Sequence, residues 1–320
     1  MRWWWRLAVS VSLLALILIL LPAGDIFGAM ARIPPWLWTA ALAGFLLGHL
    51  LGVAKWRAVI NTGRPILGTR QAIQCYAAGL FANLCLPSIV GGDVLRAAMA
   101  GRMTKRPEAV VVGSVVDRVT DVATLGLLIT GGSIALGAAQ PGVWTGVLAA
   151  AAITGVAAAL VALPLAFRRP LQRWPVRWRR RIGRTLAAIR RLAHQPRTWA
   201  TAQSLSIVIQ SGFVLLNAAI GSSLGIDVSL AVWFVVWPLA KIAGLLPISL
   251  GGLAVREATL AALLTPFGIA AVDGVATSLL WQTILLAGGL LAGLVWLLLR
   301  RDHRNRMVVS REPLEHTDYA

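Results

Sequence analysis

The chain has 320 residues, of which 58% are hydrophobic and 13% charged, and its 30 basic and 12 acidic residues give a net charge of +18. This balance excludes an ordinary soluble domain, because the apolar residues form runs near the roughly 20-residue length that crosses a bilayer. The basic residues stand in short loops between these runs, which favours membrane topology signals over nucleic-acid binding.

Eight apolar segments predict membrane helices. The first follows a basic start and resembles a signal peptide, but its apolar run is long and further spans follow, so we expect a retained helix, with cleavage as the alternative. Two shorter stretches, 93–101 and 253–264, predict two or three helical turns each. The eight segments are 7–22, 36–54, 71–86, 107–137, 143–167, 199–222, 229–246 and 271–299.

Arginine and lysine mark the cytoplasmic side of a membrane protein. They place Lys55 and the loop 168–198, with its eleven arginines, inside, whereas the loop 23–35 goes outside. Every basic cluster is cytoplasmic if 71–101 dips into the membrane from inside and 229–264 dips in from outside. Six full crossings then leave both termini in the cytoplasm.

One phrase, P-x-x-x-G-G-x-x-x-R, occurs as PSIVGGDVLR at 87–96 and again as PISLGGLAVR at 247–256. A shift of 160 residues also aligns the flanking spans, which run in opposite directions. The sequence therefore predicts an all-α polytopic membrane bundle with two re-entrant broken-helix hairpins in an inverted-topology repeat. The predicted divisions are a first membrane repeat at 1–167, a basic loop with an interfacial amphipathic helix at 168–198, a second repeat at 199–300 and a disordered cytoplasmic tail at 301–320.

The repeated phrase has the chemistry of an anion site. Its proline can end one half-helix, and a new one can begin near its second glycine, with N–H groups that have no intrahelical partner. Such a helix end attracts anions. Arg96 and Arg256 lie about one turn farther on, and phosphate is the ligand that arginine grips best. Alternatively, the glycines only permit close packing and Arg96 is a charge at the cytoplasmic edge.

Acidic residues inside the apolar segments are costly and need an explanation. Asp117 and Asp121 share a helix face, with Arg118 about 100° away. They predict a coupling or proton site or, alternatively, a buried ion pair with the arginine of either phrase. Asp93 is spaced to pair with the arginine three residues later, whereas Glu257, adjacent to its arginine, is expected to point elsewhere.

Five other side chains have simpler interpretations. Asn83 is placed to satisfy backbone freed at the first break, and Lys241 is expected to face the same cavity. His49 has no companion at ligand spacing and predicts a hydrogen-bonded structural histidine. Cys75 and Cys85 lie in one apolar segment and indicate neither a disulfide framework nor a metal site.

Three stretches, NLCLPSIVGGDVLR, VVDRVTDVATL and LPISLGGLAVREATL, resemble signature stretches of the flippase-like family related to the membrane part of lysylphosphatidylglycerol synthase. The resemblance covers roughly residues 5–300 and implies an integral inner-membrane protein that translocates lipids with polar heads. The large soluble aminoacyl-transfer domain of the bifunctional synthases has no counterpart here, so transferase activity is not expected. The matched positions are Asn83, Pro87, Gly91, Gly92, Asp93, Arg96, Asp117, Arg118, Asp121, Pro247, Ser249, Gly251, Gly252, Arg256 and Glu257.

The leading hypothesis is a non-enzymatic lipid translocator that binds an anionic lipid or lipid-linked glycan headgroup and needs no cofactor, metal or nucleic acid. The alternatives are a membrane enzyme acting on a lipid-linked substrate and a scaffold for a lipid-modifying partner. The predicted substrate-binding residues are Asn83, Gly91, Gly92, Arg96, Ser249, Gly251, Gly252 and Arg256. The predicted coupling or ion-pair residues are Asp93, Asp117, Arg118, Asp121 and Glu257.

Overall fold

The structure is a computed structural model that describes residues 23–86, 91–104, 106–137, 176–245 and 252–309. Within these stretches all regular structure is helical, without strands, which confirms the all-α class. The predicted spans 7–22 and 143–167 lie outside them. The ten α-helices are α1 Ala23–Ala31, α2 Pro35–Ile60, α3 Thr69–Cys85, α4 Gly91–Met103, α5 Pro107–Leu136, α6 Val176–Ala193, α7 Pro196–Ser223, α8 Leu230–Leu245, α9 Val255–Leu264 and α10 Ala271–Val309.

Among the described helices, four are long and apolar enough to cross a membrane: α2, α5, α7 and the part of α10 up to Arg300. They coincide with the four predicted full crossings in the described part of the chain. Pro35, Pro107 and Pro196 begin α2, α5 and α7, where a missing N–H costs no intrahelical bond and the fixed φ suits the helix. The prediction of a multi-pass helical membrane protein is therefore confirmed.

Three element boundaries differ from the prediction. The loop at 23–35 contains α1, whose Ile26 and Ala29 are buried in the core; nine residues are too few for the span length on which the prediction relied. The second helix runs to Ile60 rather than 54. The last helix runs to Val309, because the basic stretch after residue 299 contains neither proline nor glycine and places cations near the C-terminal end of the helix dipole.

The helices α3 and α4 form a tightly packed antiparallel pair. Cys75 lies 3.7 Å from Met103, sulfur to sulfur, at one end of the pair, and Asn83 contacts Gly92 at the other. A β-carbon on Gly79 would lie 2.7 Å from the carbonyl oxygen of Gly92. Glycine at position 79 is therefore what lets the two backbones approach.

The helices α8 and α9 form a second pair that also meets through glycines. Gly252, just before α9, has a φ of +78°, and a β-carbon there would lie 2.7 Å from the carbonyl oxygen of Gly244 in α8. Both the left-handed backbone and the close approach require glycine at position 252. The chain between Leu245 and Gly252 lies outside the described stretches.

The two halves of the chain pack through equivalent helices. The helices α2 and α7 are antiparallel, because Gly44 lies against Leu216 while Lys55, eleven residues later, bonds Ser206, ten residues earlier. The helix α3 packs on α10, and its counterpart α8 packs on α5. The first short helix of each half, α3 or α8, thus contacts the last long helix of the other half.

The basic helix α6 packs on the bundle through apolar residues near its C-terminal end. Leu192 is buried in a cluster with Val59 of α2 and Val112 of α5. The indole nitrogen of Trp199 in α7 donates a hydrogen bond to the carbonyl oxygen of Leu192 at 3.0 Å. A helix is therefore present in the basic loop and packs on the bundle; its role as an interfacial amphipathic helix stays a prediction.

Candidate functional site

Six charged side chains form a continuous network in the first half of the molecule, which we call the charge cluster. They come from α2, α4 and α5, and both α2 and α4 pack on α5. Every neighbouring pair along the network is of opposite charge. The charge cluster consists of Lys55, Asp93, Arg96, Asp117, Arg118 and Asp121.

Lys55 is the most deeply buried member of the charge cluster and is only 2% exposed. Its ammonium lies 3.0 Å from a carboxylate oxygen of Asp117 and 2.6 Å from one of Asp121, and it donates to the hydroxyl of Ser206 at 2.9 Å. The prediction that Lys55 is a cytoplasmic loop charge is wrong. The helix continues past residue 54, so this lysine lies within the bundle, where the two acids compensate its charge.

Arg96 lies at the centre of the charge cluster. Its guanidinium is 3.0 Å from Asp117 and 3.3 Å from Asp93, the predicted partner three residues before it. It also lies between the rings of Trp56 and Tyr76, 4.6 and 4.7 Å from their centres. Two carboxylates and two aromatic faces thus hold this cation in a water-poor position.

Arg118 is the open end of the charge cluster. Its Nε donates to Asp93 at 2.6 Å, yet 44% of its side chain remains exposed. Asp93 therefore bridges the buried Arg96 and the accessible Arg118. Within the cluster, Arg118 is the cation that an incoming ligand reaches most easily.

Asn83 closes the end of α4. Its side-chain oxygen accepts a hydrogen bond from the backbone N–H of Gly92 at 3.0 Å, one of the N–H groups that a helix start leaves without an intrahelical partner. The side chain of Leu86 packs against Gly91. Asn83 thus satisfies backbone at the break, as predicted, and shapes the start of the helix that carries Asp93 and Arg96.

A polar cavity of about 100 Å³ lies beside the charge cluster. Its lining includes four cations and three acids, so its formal charge is 4 − 3 = +1 with histidine counted as neutral. Lys241 faces this cavity, as predicted. Among the described residues it has no acidic partner within 4 Å, and its ammonium donates to Gln210 at 2.6 Å. The charged lining residues are Lys55, Asp93, Arg96, Asp117, Arg118, Asp121 and Lys241.

An apolar groove of about 880 Å³ adjoins the polar cavity. It runs between α4 and α5 and is lined mainly by valine, alanine and leucine. Val94 and Val111 in its walls are 62% and 53% exposed, so the groove opens on the outer surface of the bundle. The residues that line both the groove and the polar cavity are Asp93, Arg118, Asp121, Gln210 and Lys241.

The second hairpin holds a separate buried arginine. Arg256 contacts the carboxylate of Glu257 at 2.9 Å and donates to Gln282 at 2.8 Å and to the hydroxyl of Ser278 at 3.1 Å. Glu257 is fully buried. The expectation that Glu257 points away from Arg256 is wrong, because both side chains at the start of α9 reach the same hydroxyl, that of Ser278.

The structure thus separates the predicted site residues into two groups. Arg96 lines the polar cavity with Asn83, whereas Arg256 does not line it. Ser249 and Gly251 lie outside the described stretches. The polar cavity residues that the sequence did not predict as site residues are His49, Lys55, Tyr76 and Gln210. For each of them, the available signal was a polar residue within an apolar helix.

The family profile of the lysylphosphatidylglycerol synthase TM region matches residues 3–293. No curated protein and no solved structure matches the chain significantly. The profile match covers the charge cluster, both hairpins, the helices α2, α5 and α7, and α10 as far as Gly293. The chain therefore belongs to the family of the lysylphosphatidylglycerol synthase transmembrane region.

Proposed function

We propose that this protein is a lipid translocator that moves a lipid with an anionic headgroup across the membrane without covalent chemistry. One observation carries the proposal: a polar cavity of net positive charge adjoins an apolar groove, and five side chains line both. An amphiphile needs these two surfaces side by side. Its headgroup would occupy the polar cavity, and an acyl chain would lie in the groove.

The headgroup would meet Arg118 and Lys241 first. Arg118 is the accessible cation of the charge cluster, and Lys241 lacks an acidic partner among the described residues. A guanidinium binds phosphate through two parallel hydrogen bonds, and an ammonium contributes a point charge. Arg96 is a positioning residue in this proposal, because its neighbours Asp93 and Asp117 already neutralise it.

The groove would admit the acyl chain from the side. In this proposal its exposed valines would face the lipid tails around the protein. Its volume of about 880 Å³ lies within the range of roughly 300–1,000 Å³ common for ligand pockets. A lipid could therefore enter without its chains crossing a polar layer.

The packing of the two halves supports the inverted-topology repeat with re-entrant hairpins. Both halves have the order long, short, short, long, and the paired first helices α2 and α7 are antiparallel. A two-fold axis in the membrane plane relates such halves, as in many transporters. Rocking of one half against the other would expose the cavity to each leaflet in turn. Placement in the bacterial inner membrane with both termini cytoplasmic is part of this proposal.

Each predicted residue has a role in the translocation cycle. Asn83, Gly91 and Gly92 shape the first hairpin tip, and Ser249 and Gly251 belong to the second. The remaining acids and bases carry or balance charge while the halves move. These coupling residues are Asp93, Asp117, Asp121, Arg256 and Glu257.

Flipping of a fluorescent lipid in proteoliposomes tests the proposal. We expect transport of labelled phosphatidylglycerol to exceed that of labelled phosphatidylcholine, and the double change Arg118→Gln and Lys241→Gln to reduce it by about tenfold, since two charge-assisted contacts are lost. Arg32→Gln is the matched control, because it also removes a cation but from an exposed pair with Asp273. Equal transport by the wild type and the double variant would contradict the proposal, and recovery of a chemically altered headgroup would identify an enzyme instead.

A further inference from the structure

A second cavity, which we call the basic cavity, lies between α6 and the bundle and has a volume of about 320 Å³. The loop after α2, the start of α5 and one face of α6 form its walls. None of its lining residues lines the polar cavity or the apolar groove. What it binds is therefore independent of the proposed transport site.

Four arginines from three separate segments converge on the basic cavity. Among the described residues, Glu108 is its only acidic lining residue, so their formal charge is 4 − 1 = +3. Glu108 pairs with Arg184 at 2.9 Å. The other three arginines have no acidic partner within 4 Å among the described residues. They are Arg64 in the loop, Arg106 before α5 and Arg191 in α6.

The floor of the basic cavity is apolar and buried. Val59, Val112 and Leu192 pack together beneath the arginines. An apolar floor keeps water from one side of the cavity, which strengthens the mutual repulsion of the cations above it and their attraction to an anion. An anion bound in the cavity would therefore reduce the repulsion among these cations.

Cytoplasmic topology alone does not explain this arrangement. The positive-inside rule needs arginines in the loop but does not need them to face one another. Arg190 and Arg197, close in sequence, do not line the cavity, whereas Arg64, Arg184 and Arg191, which are exposed as well, do line it. The shared cavity, and not a difference in exposure, therefore distinguishes the cavity arginines from their neighbours.

We propose that the basic cavity binds a phosphate-bearing anion, held by Arg64, Arg106 and Arg191. Guanidinium groups bind phosphate through paired, charge-assisted hydrogen bonds. The anion would join α6 to the start of α5 and the loop after α2. Its binding should therefore protect α6 from trypsin, which cleaves after the many arginines of that helix.

Two arms of one binding experiment distinguish a free phosphate compound from a lipid headgroup. The full chain is placed in nanodiscs of phosphatidylcholine and titrated with pyrophosphate by calorimetry. In the other arm it is placed in nanodiscs that contain phosphatidylglycerol, without pyrophosphate. The readout common to both arms is the rate of tryptic cleavage within α6.

The double change Arg106→Gln and Arg191→Gln should abolish the protection in whichever arm shows it and weaken binding by about tenfold or more. Arg190→Gln with Arg197→Gln is the matched control, with the same change in charge outside the cavity. Arg64→Gln, in a loop, is a second probe that leaves the helices intact.

Protection by pyrophosphate would identify a free phosphate compound, and protection only by phosphatidylglycerol would identify a lipid headgroup. No protection in either arm, or equal loss in cavity and control variants, would overturn the proposal.

Discussion

The arginines of the two hairpins occupy equivalent positions in the repeated phrase but differ in how they are neutralised. Arg96 shares its two acids with other cations, in a network that reaches an accessible cavity. Arg256 is held by the adjacent Glu257 and by neutral partners from α10. One phrase therefore supports two kinds of site: an extended network at the first hairpin and a closed pair at the second.

The difference originates on the long helix that follows each hairpin. In α5 the residues facing the first hairpin include Asp117 and Arg118, which carry charge into the network. The positions 160 residues later are Thr277 and Ser278, which carry none. The second half therefore needs its acid next to the arginine itself. Variants that remove one partner at a time test this contrast.

Removing Lys55 should have the largest effect. The variant Lys55→Met leaves Asp117 and Asp121 short of a buried cation, and breaking a buried pair in this way costs about 3–5 kcal/mol of stability. Unfolding in mixed detergent micelles measures the loss. Lys241→Met is the matched control, since its lysine has no acidic partner among the described residues. Equal losses from both changes would show that the two acids do not depend on Lys55.

A double-mutant cycle should separate the two hairpins next. Arg256→Met alone leaves the buried Glu257 without its cation. The added change Glu257→Gln should restore about 2–3 kcal/mol of stability, because the two residues form a closed pair. The corresponding change Asp117→Asn should restore much less in Arg96→Met, because it deprives Lys55 of a partner. Each pair needs two single variants and one double variant, and the unfolding free energies of these six variants give the two coupling energies. Equal coupling energies for Arg256–Glu257 and Arg96–Asp117 would show that the two hairpins do not differ in how their arginines are neutralised.

The positions of these residues explain how much the sequence could predict. Long apolar runs and N-terminal prolines determine the helices α2, α5 and α7, because both features act within one segment. The pair Asp93–Arg96 was predictable for the same reason, since both residues lie on one helix. By contrast, Asp117 had two arginines as candidate partners, and only the packing of α4 on α5 selects Arg96.

The errors have the same origin. Lys55 was assigned to a loop because basic residues usually mark a span end, yet acids from another helix compensate it inside the bundle. Glu257 was expected to point away from Arg256 because neighbours on a helix diverge by about 100°. The hydroxyl of Ser278, on the following helix α10, forms hydrogen bonds with both side chains, so they lie close together. Partners supplied by other helices are the information that periodicity within one helix lacks.

Glycine substitutions should distinguish the packing of the two hairpins. In the first, Gly79→Ala would place a β-carbon 2.7 Å from the carbonyl oxygen of Gly92 and 3.0 Å from the β-carbon of Arg96, an overlap that should cost about 1–3 kcal/mol. In the second, Gly244→Ala would meet its nearest atom, in Arg256, at an ordinary 3.6 Å. That change should be neutral or should stabilise by up to about 1 kcal/mol through helix propensity. Thermal unfolding of the two variants provides the comparison, and a larger loss from Gly244→Ala would reverse it.

The smallest effect concerns the hydrogen bond that starts α4. Asn83→Ala removes the acceptor for the Gly92 N–H and should cost about 1 kcal/mol, the usual net value of one such bond. Asn83→Asp keeps an acceptor in place and puts a negative charge at the N-terminus of a helix, so it should retain stability. Hydrogen exchange at Gly92 is the direct measurement, and it should accelerate in the alanine variant alone. Equal exchange in both variants would mean that the tip of the first hairpin holds α4 without Asn83, and that the contrast between the hairpins lies in the charges and not in the backbone.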